Sequence, residues 1–485
     1  EDDGLGLVSS GTEKAPLLSH NKVVPTYTYT VDDVGLGPAD LENNHYDEQK
    51  PKASGLFLFV TSWVLFVEGI SGISGLAVSF FYKNTLHASP ATLTSIGSVS
   101  TIPWALKPLF GFVSDGFPIF GYRRKPYIFI AGVLGGASWL LMAWFTHDIW
   151  SGAFFMLLGS IGICLGNVLS EALVVERSRG ESQEYASKLQ STIWACQAIG
   201  SVIAAWTGGW LLTVMSDRSV FVLAGIFPAT FMILALITPD RKVTDEDIEV
   251  RRSFKDKFAV LFDAVGRPEI AYPCAFIFML NSTPATGASW FFFYTNVLHF
   301  DSEFMGTINL IGSLCSLGGV IIFQKWLKDA AFRSILFWST IVSTVLGLTQ
   351  LILIFRWNLR VGIPDGAFCI GESAILSVIG WINTMPILVL ASRLCPKGME
   401  GTMYAFIMSV NNLGGIVGSQ IGAILTSLLG VTEHHMENFW LLVLICNAST
   451  VLPLFLIHWI PQDDPGKSNT KATVDNDGTV HYQDL

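Results

Sequence analysis

The sequence predicts an all-α integral membrane protein with twelve transmembrane helices in two halves of six. Three observations carry this. The 485-residue chain has a mean hydropathy of +0.49 and only 14% charged residues, where soluble chains carry about 25%. Between Gly55 and Pro461 it holds about a dozen apolar stretches long enough to cross a bilayer, most of them rich in Gly and Ser. A charged segment, Pro239 to Pro268, follows the sixth stretch. In hydrocarbon every backbone polar group needs an internal partner, so stretches of this length read as helices, and each polar side chain at depth calls for an explanation. A bundle of this size with almost no mass outside the bilayer is the build of a solute carrier.

Residues 1–52 are acidic, rich in Gly, Asp and Glu and without helical periodicity, and are expected to form a disordered cytoplasmic tail. The chain starts on Glu1, which reads as a processed or truncated start. Glu13 to Leu18 has the form of an acidic dileucine sorting signal, a six-residue match that chance also produces. The predicted spans, numbered 1 to 12, cover 55–82, 91–113, 126–146, 151–174, 188–214, 219–238, 270–298, 303–326, 333–355, 372–392, 402–428 and 437–460. The first six make an N-terminal half, 53–238. Residues 239–268 form a charged cytoplasmic linker, the other six spans a C-terminal half, 269–461, and 462–485 a polar cytoplasmic tail.

Lys and Arg set the orientation. With the amino terminus cytoplasmic, inner loops hold Arg123, Arg124, Lys125, Arg177, Arg179, Lys188, the central basic run, Lys325, Lys328, Arg333, Arg393 and Lys397; outer loops hold only Lys83, Arg218, Arg356 and Arg360. Both termini are therefore placed on the cytoplasmic side or its organellar equivalent. Plasma, plastid and endosomal or vacuolar membranes are not distinguished.

Several function classes fall away. The net charge of -10 comes mostly from tails and loops and argues against a nucleic-acid partner. Most of the seven cysteines lie in or at the ends of apolar segments, and no CxxC or HExxH occurs, so neither a disulfide framework nor a metal or other cofactor is implied. The tail run Gly466-Lys467-Ser468 ends like a P-loop but has Pro461 where the first glycine belongs. No GxSxG or nucleophile with a His partner suggests an enzyme.

The end of span 2 carries a more specific signal. Gly111-Phe-Val-Ser-Asp115 is followed by Arg123, Arg124 and Lys125. Asp115 at a helix end beside basic residues can latch an inner gate through an ion pair; an ordinary positive-inside loop capping a helix is the plainer reading. Glu176 and Arg177, past span 4, belong to the same network. Glycine series at Gly69, Gly72 and Gly75, at Gly200, Gly208 and Gly209, and at Gly414, Gly415, Gly418 and Gly422 suit close helix packing. The gate motif and the six-plus-six layout resemble the major facilitator superfamily.

A narrower resemblance follows from four segments: PWALKPLFGFVSDGFPIFGYRRKPY (Pro103 to Tyr127), ALVVERSRGESQ (Ala172 to Gln183), FFFYTNVLHF (Phe291 to Phe300) and MPILVLASRLCPKGMEGT (Met385 to Thr402). They are similar to the signatures of the folate–biopterin transporter family, over most of residues 55–460. The resemblance implies a major facilitator fold and proton-coupled transport of folates or pterins by alternating access between the halves. The family also includes members resembling carriers of other metabolites, such as S-adenosylmethionine.

In such a bundle spans 1, 4, 7 and 10 would line the central cavity. Span 1 carries Glu68 near the midplane, where an ionised carboxylate is costly. It is the first choice for proton coupling or for the amine edge of a pterin; a structural hydrogen bond is the alternative. Lys107 on span 2 offers a counter-charge for an anionic substrate, or an internal partner for Glu68 or Glu171. Asn167 and Glu171 lie one turn apart on span 4 and share a face; Glu171 is a second proton-coupling candidate, or a member of the gate network. Span 7 brings Asn281, Thr283 and Pro284, then the aromatic run from Trp290. A proline inside a span kinks it, and flat side chains can stack on a pterin. Span 10 adds Asn383, and Asn411, Asn412 and Gln420 on span 11 are interhelical glue or ligands. The substrate-contact set is thus Lys107, Asn167, Asn281, Thr283, Trp290 and Asn383. The family commonly has an acid at the Asn167 position, Arg at Gly75 and Asp at Gly287. Those departures put folate in question and leave a second reading open, a transporter-like scaffold or accessory subunit without turnover. A small molecule and the lipid bilayer are the expected partners; no protein partner is identified.

Overall fold

The computed structural model describes residues 55–178, 183–238, 240, 242, 265–327, 330–394 and 400–460, with two tail segments, 470–474 and 480–484. The expected disordered tail with its dileucine signal lies outside the described residues, as do most of the linker and much of the C-terminal tail.

Nine helices among the described residues are long and apolar enough to cross a membrane: Gly55–Asn84, Lys125–Phe145, Ile149–Ser178, Lys188–Val214, Asp217–Ile237, Ser302–Leu327, Phe332–Ile354, Asp365–Ser392 and Phe439–Trp459. They coincide with predicted spans 1, 3 to 6, 8 to 10 and 12. The other three predicted spans are also helical. Span 11 is Glu400–Leu428, whereas span 2 is broken into Pro90–Ser100, Ile102–Ala105 and Lys107–Gly116, and span 7 into Pro268–Asn281 and Ser289–Asn296. The bundle is all-α. The tail adds one antiparallel hairpin, Thr470–Val474 against Val480–Asp484, where the sequence suggests only a polar tail.

Each break has a local cause. Pro103 and Pro108 fall in the first turns of their helices; lacking an N–H, each starts a helix and cannot continue the one before it. In span 7, Pro284 and a glycine at positive φ, Gly287 at +52°, unwind residues 282–288. Neighbouring spans supply partners for the freed backbone: Ala285 N–H donates to Gly418 O of span 11 at 3.3 Å, and Ala288 N–H to Thr94 Oγ1 of span 2 at 2.9 Å.

Small residues set the close crossings, as van der Waals packing requires in lipid. A β-carbon on Gly200 would lie 2.5 Å from Phe66 O, closing span 5 on span 1, and one on Gly414 would lie 2.8 Å from Phe278 O, closing span 11 on span 7. Span 5 meets span 8 at Gly209, where an added β-carbon would be 2.8 Å from Gly306 Cα. The most extensive crossings between the halves are span 5 on span 8 and span 2 on span 11, and span 7 also touches span 2. Gly75 has open space around it and takes no part in packing.

Four apolar clusters form the core, and they differ in how they treat the two halves. At the end bearing Arg123 and Arg124, here called the basic end, one cluster (Phe57, Tyr127, Leu169, Phe231 and neighbours) belongs to spans of the N-terminal half. Another (Ile270, Leu336, Leu390, Met403 and neighbours) belongs to the C-terminal half. At the opposite, far end the N-terminal cluster around Phe81, Tyr82 and Phe221 takes in Phe291, Phe292 and Met305 from the other half, while the fourth, around Phe293, Leu353 and Phe439, is C-terminal alone. Trp150, Phe154, Ile233, Leu236, Trp338 and Phe455 point out of the bundle. Apolar surface on this scale suits contact with lipid.

Candidate functional site: a charged cluster within the N-terminal half

Glu68 sits two residues before the end of the first α-helical segment of span 1, just below a 3₁₀ turn at Ser71–Ser74. Both of its oxygens are engaged. Asn167 Nδ2 of span 4 donates to Oε2 at 2.6 Å and Gln197 Nε2 of span 5 donates to Oε1 at 2.7 Å. Glu68 thus ties three spans together at depth. Asn167 is fully buried, and its Oδ1 has no partner.

Lys107 opens the last helical segment of span 2, immediately past the break between Pro103 and Pro108. Its ammonium lies 3.2 Å from Glu171 Oε2 and 5.3 Å from the centre of the Trp104 ring. Of the internal partners open to Lys107, Glu171 is the one in contact. The Lys107 and Glu171 side chains retain 18% and 35% of their exposure, so neither is sealed in the core. Cys164, one turn before Asn167, donates through Sγ to Pro103 O at 3.3 Å and fixes the broken part of span 2 on span 4.

Asp115 and Glu176, two of the residues expected to form the gate, meet Arg124, which is 3% exposed. Its Nη2 lies 2.7 Å from Asp115 Oδ1 and 2.5 Å from Glu176 Oε1, and Nη1 donates to Ser114 Oγ at 3.0 Å. Burial opposes its charge, but the two carboxylates more than offset this and hold it above the ordinary guanidinium value. Gly111 packs loosely on Val168 and accepts from the Ser114 hydroxyl at 2.9 Å. Arg123 lies half-buried in the adjoining loop and Arg177 in the last turn of span 4. Asp240, past span 6, caps span 3 by accepting from the N–H groups of Arg124 and Lys125 at 2.8 and 3.0 Å. The Arg124 network braces spans 2, 3 and 4 of one half.

The C-terminal candidates sit elsewhere. Asn281 Nδ2 donates to Asn411 Oδ1 at 3.0 Å, Thr283 Oγ1 to Leu280 O at 3.1 Å, and Asn383 Oδ1 accepts from the buried Ser339 at 3.0 Å. Trp290 packs edge-on against Phe439 with centroids 4.9 Å apart. All of these contacts stay within the C-terminal half. Asn412 and Gln420 reach across: Asn412 Nδ2 donates to Trp104 O at 3.0 Å, and Gln420 Nε2 to Ser95 O and Ser98 Oγ at 3.1 and 2.7 Å. A cavity of 340 Å³ between spans 1, 5, 7 and 8 is lined by Gly72, Gly75, Ala204, Phe291, Tyr294 and Asn309, among others.

Sequence reasoning did not single out Gln197, Thr94 or Asp240, and it placed Lys83 in an outer loop. Lys83 is in fact buried at the end of span 1, donating to Thr295 Oγ1 at 2.6 Å and to Asn296 Oδ1 of span 7. Gln197 had a legible signal: it lies three residues before Gly200, on the face that packs against span 1. Thr94 and Asp240 had none, because each serves a backbone group whose position only the fold reveals.

Long apolar helices around a half-buried charged cluster define a multi-pass membrane protein. Residues 68–478 match the model of the BT1 family, and the chain belongs to that family. It is 40% identical to a folate-biopterin transporter from Synechocystis sp. over 85% of this chain and 83% of the relative. It is 28% identical to folate transporter 1 of Plasmodium falciparum, over 84% and 80% of the two chains. Among solved structures, the nucleoside transporter NupG superposes with a TM-score of 0.63 at 16% identity, covering 83% of this chain and 98% of that one.

Proposed function

We propose that the chain is a secondary active transporter that carries folate, a pterin or a related anionic metabolite by alternating access, coupled to protons. The observation that carries this is the Lys107–Glu171 ion pair beside Glu68: one cation and two carboxylates, half-buried in the bundle. Neither member of the pair is sealed in the core, at 18% and 35% exposure. The names of the relatives supply the substrate class, and Lys107 supplies the counter-charge that a folate carboxylate needs. Glu68 and Glu171 are the candidate proton carriers. The unequal treatment of the two ends supports alternating access. At the far end one of two core clusters takes in buried residues of both halves and the other is C-terminal alone, while at the basic end each half keeps its own. This is the pattern of a carrier closed at the far end. Glu68 and Lys107 also speak against an inert scaffold, which has no need to keep charge at depth.

Uptake of labelled folate into proteoliposomes, with and without an inward proton gradient, tests the reading. Saturable, gradient-dependent uptake that is lost in Lys107→Ala is expected. No uptake by well-folded protein would overturn folate as the cargo and direct the search to other metabolites.

A further inference from the structure

Lys107 already holds an anion of its own chain: the side chain of Glu171, 3.2 Å away. Glu68 has both oxygens on the amides of Asn167 and Gln197 and is not Lys107's contact partner. The groups facing the pair are Glu68 from span 1, Cys164 from span 4 and the Trp104 ring from its own span, with Gln197 of span 5 held on Glu68. With every acid ionised, two negative charges stand against one positive. A substrate carboxylate arriving at this cluster meets net negative charge and a lysine that is occupied.

We infer that Glu171 is an internal stand-in for the substrate's carboxylate, giving up Lys107 when it takes a proton. This rests on the transport reading and narrows its proton carriers from two to one. A proton adds to Glu171 Oε2 and the ion pair to Lys107 Nζ breaks. The substrate's carboxylate then accepts from Nζ in its place. One positive charge enters with the proton and one negative with the carboxylate, so docking leaves the charge of the cluster unchanged. On release the carboxylate departs, the proton leaves Glu171, and Glu171 returns to Lys107. Only an O–H bond is made and broken. Glu171 suits this task because it is the more exposed partner and sits toward the basic end of span 4, whereas Asn167 one turn deeper is sealed. A corollary concerns specificity: a carboxylated solute requires the proton, while an uncharged pterin does not.

The test is equilibrium binding to the full-length purified chain across a pH series, with labelled folate as the carboxylated probe and biopterin as the carboxylate-free one. For the wild type, folate Kd is expected to weaken by about tenfold per pH unit on the alkaline side of a midpoint, while biopterin Kd stays flat. Glu171→Gln should flatten the folate profile at its acid-side affinity and abolish gradient-driven accumulation, while folate exchange persists. Glu171→Asp should restore the slope, and Lys107→Gln should lose folate at every pH. A wild-type slope retained in Glu171→Gln, or an equal slope for biopterin, would overturn the inference while leaving transport intact. Failure of the wild type to bind folate at any pH would instead strike the transport reading, and the inference with it.

Discussion

Replacing Gly287 by alanine asks whether this position is a lost charge or a required glycine. The residue sits at φ +52° in the break of span 7, and a β-carbon there would lie 2.9 Å from Thr94 Cβ and closer still to the Thr94 hydroxyl and methyl. Ala288 N–H donates to that same hydroxyl. Left-handed φ costs an alanine about 1–2 kcal/mol. Pushing Thr94 aside forfeits a hydrogen bond worth about 1 kcal/mol. Gly287→Ala should therefore destabilise by about 2–3 kcal/mol, and Thr94→Ala, which strips the hydroxyl, by about 1–2 kcal/mol. In the double variant the hydrogen bond is lost only once and most of the clash is gone, so its cost should stay near about 2–3 kcal/mol. The shortfall from additivity is then about 1–2 kcal/mol. Reversible unfolding by SDS titration in mixed micelles measures all four corners of this cycle. Strict additivity, or a Gly287→Ala variant as stable as the wild type, would refute the steric argument. Aspartate enters left-handed φ more readily than alanine, but it meets the same Thr94. Gly287→Asp alone should consequently disturb the seam without adding a functional charge.

The Arg124 brace should show the opposite sign of coupling. Asp115 and Glu176 are 55% and 43% exposed, so Asp115→Asn or Glu176→Gln alone should cost under about 1 kcal/mol. Removing both strands a buried cation and should cost about 3 kcal/mol; the same SDS titrations check this, and a double variant equal to the sum of the singles would count against it. At the far end, Lys83→Met deletes the ammonium that joins the ends of spans 1 and 7. A cysteine at Ser79, which lines the cavity between spans 1, 5, 7 and 8, should then react about fivefold faster with an impermeant maleimide from the far side, equivalent to ~1 kcal/mol taken from the seam. An unchanged rate would show that Lys83 does not hold the seam.

What the sequence disclosed, and what it withheld, divides along physical lines. The helical, multi-pass type was legible because hydrocarbon permits few alternatives to helix, and the meeting of Asp115 and Glu176 with Arg124 because an acid and a basic cluster at a helix end mark themselves. Predicted boundaries missed at polar ends: span 4 runs past the predicted 174 to Ser178 through Glu176, which hydropathy counts against it. At the site, Lys107 with Glu171 was one of two pairings the spacing allowed, and the fold selected it. The glycine series gave mixed results. Gly69 and Gly200 carry a tight crossing, while Gly75, three to six residues from two of its fellows, faces open space. Spacing along one helix cannot say which neighbour comes close, and Gly287 looked like a missing acid because neither its φ nor Thr94 is visible in a linear sequence.

The chemistry of the contacts separates what must hold from what must part. Within the N-terminal half the brace is ionic, with a buried guanidinium gripping two carboxylates. Across the halves, the side-chain hydrogen bonds are made largely by neutral groups: Ala288 to Thr94, Gln420 to Ser95 and Ser98, and Asn412 to Trp104. Lys83 adds one cation, but its partners Thr295 and Asn296 are neutral too. Each neutral bond is worth about 1 kcal/mol net, because water offers a replacement when it opens. Parting an ion network around a buried arginine exposes an uncompensated charge and costs about 3–5 kcal/mol at a stroke. A carrier whose halves part and rejoin on every cycle needs two states within a few kcal/mol of each other. A seam of amides, hydroxyls and backbone groups meets that condition, whereas one built like the Arg124 brace would stay shut.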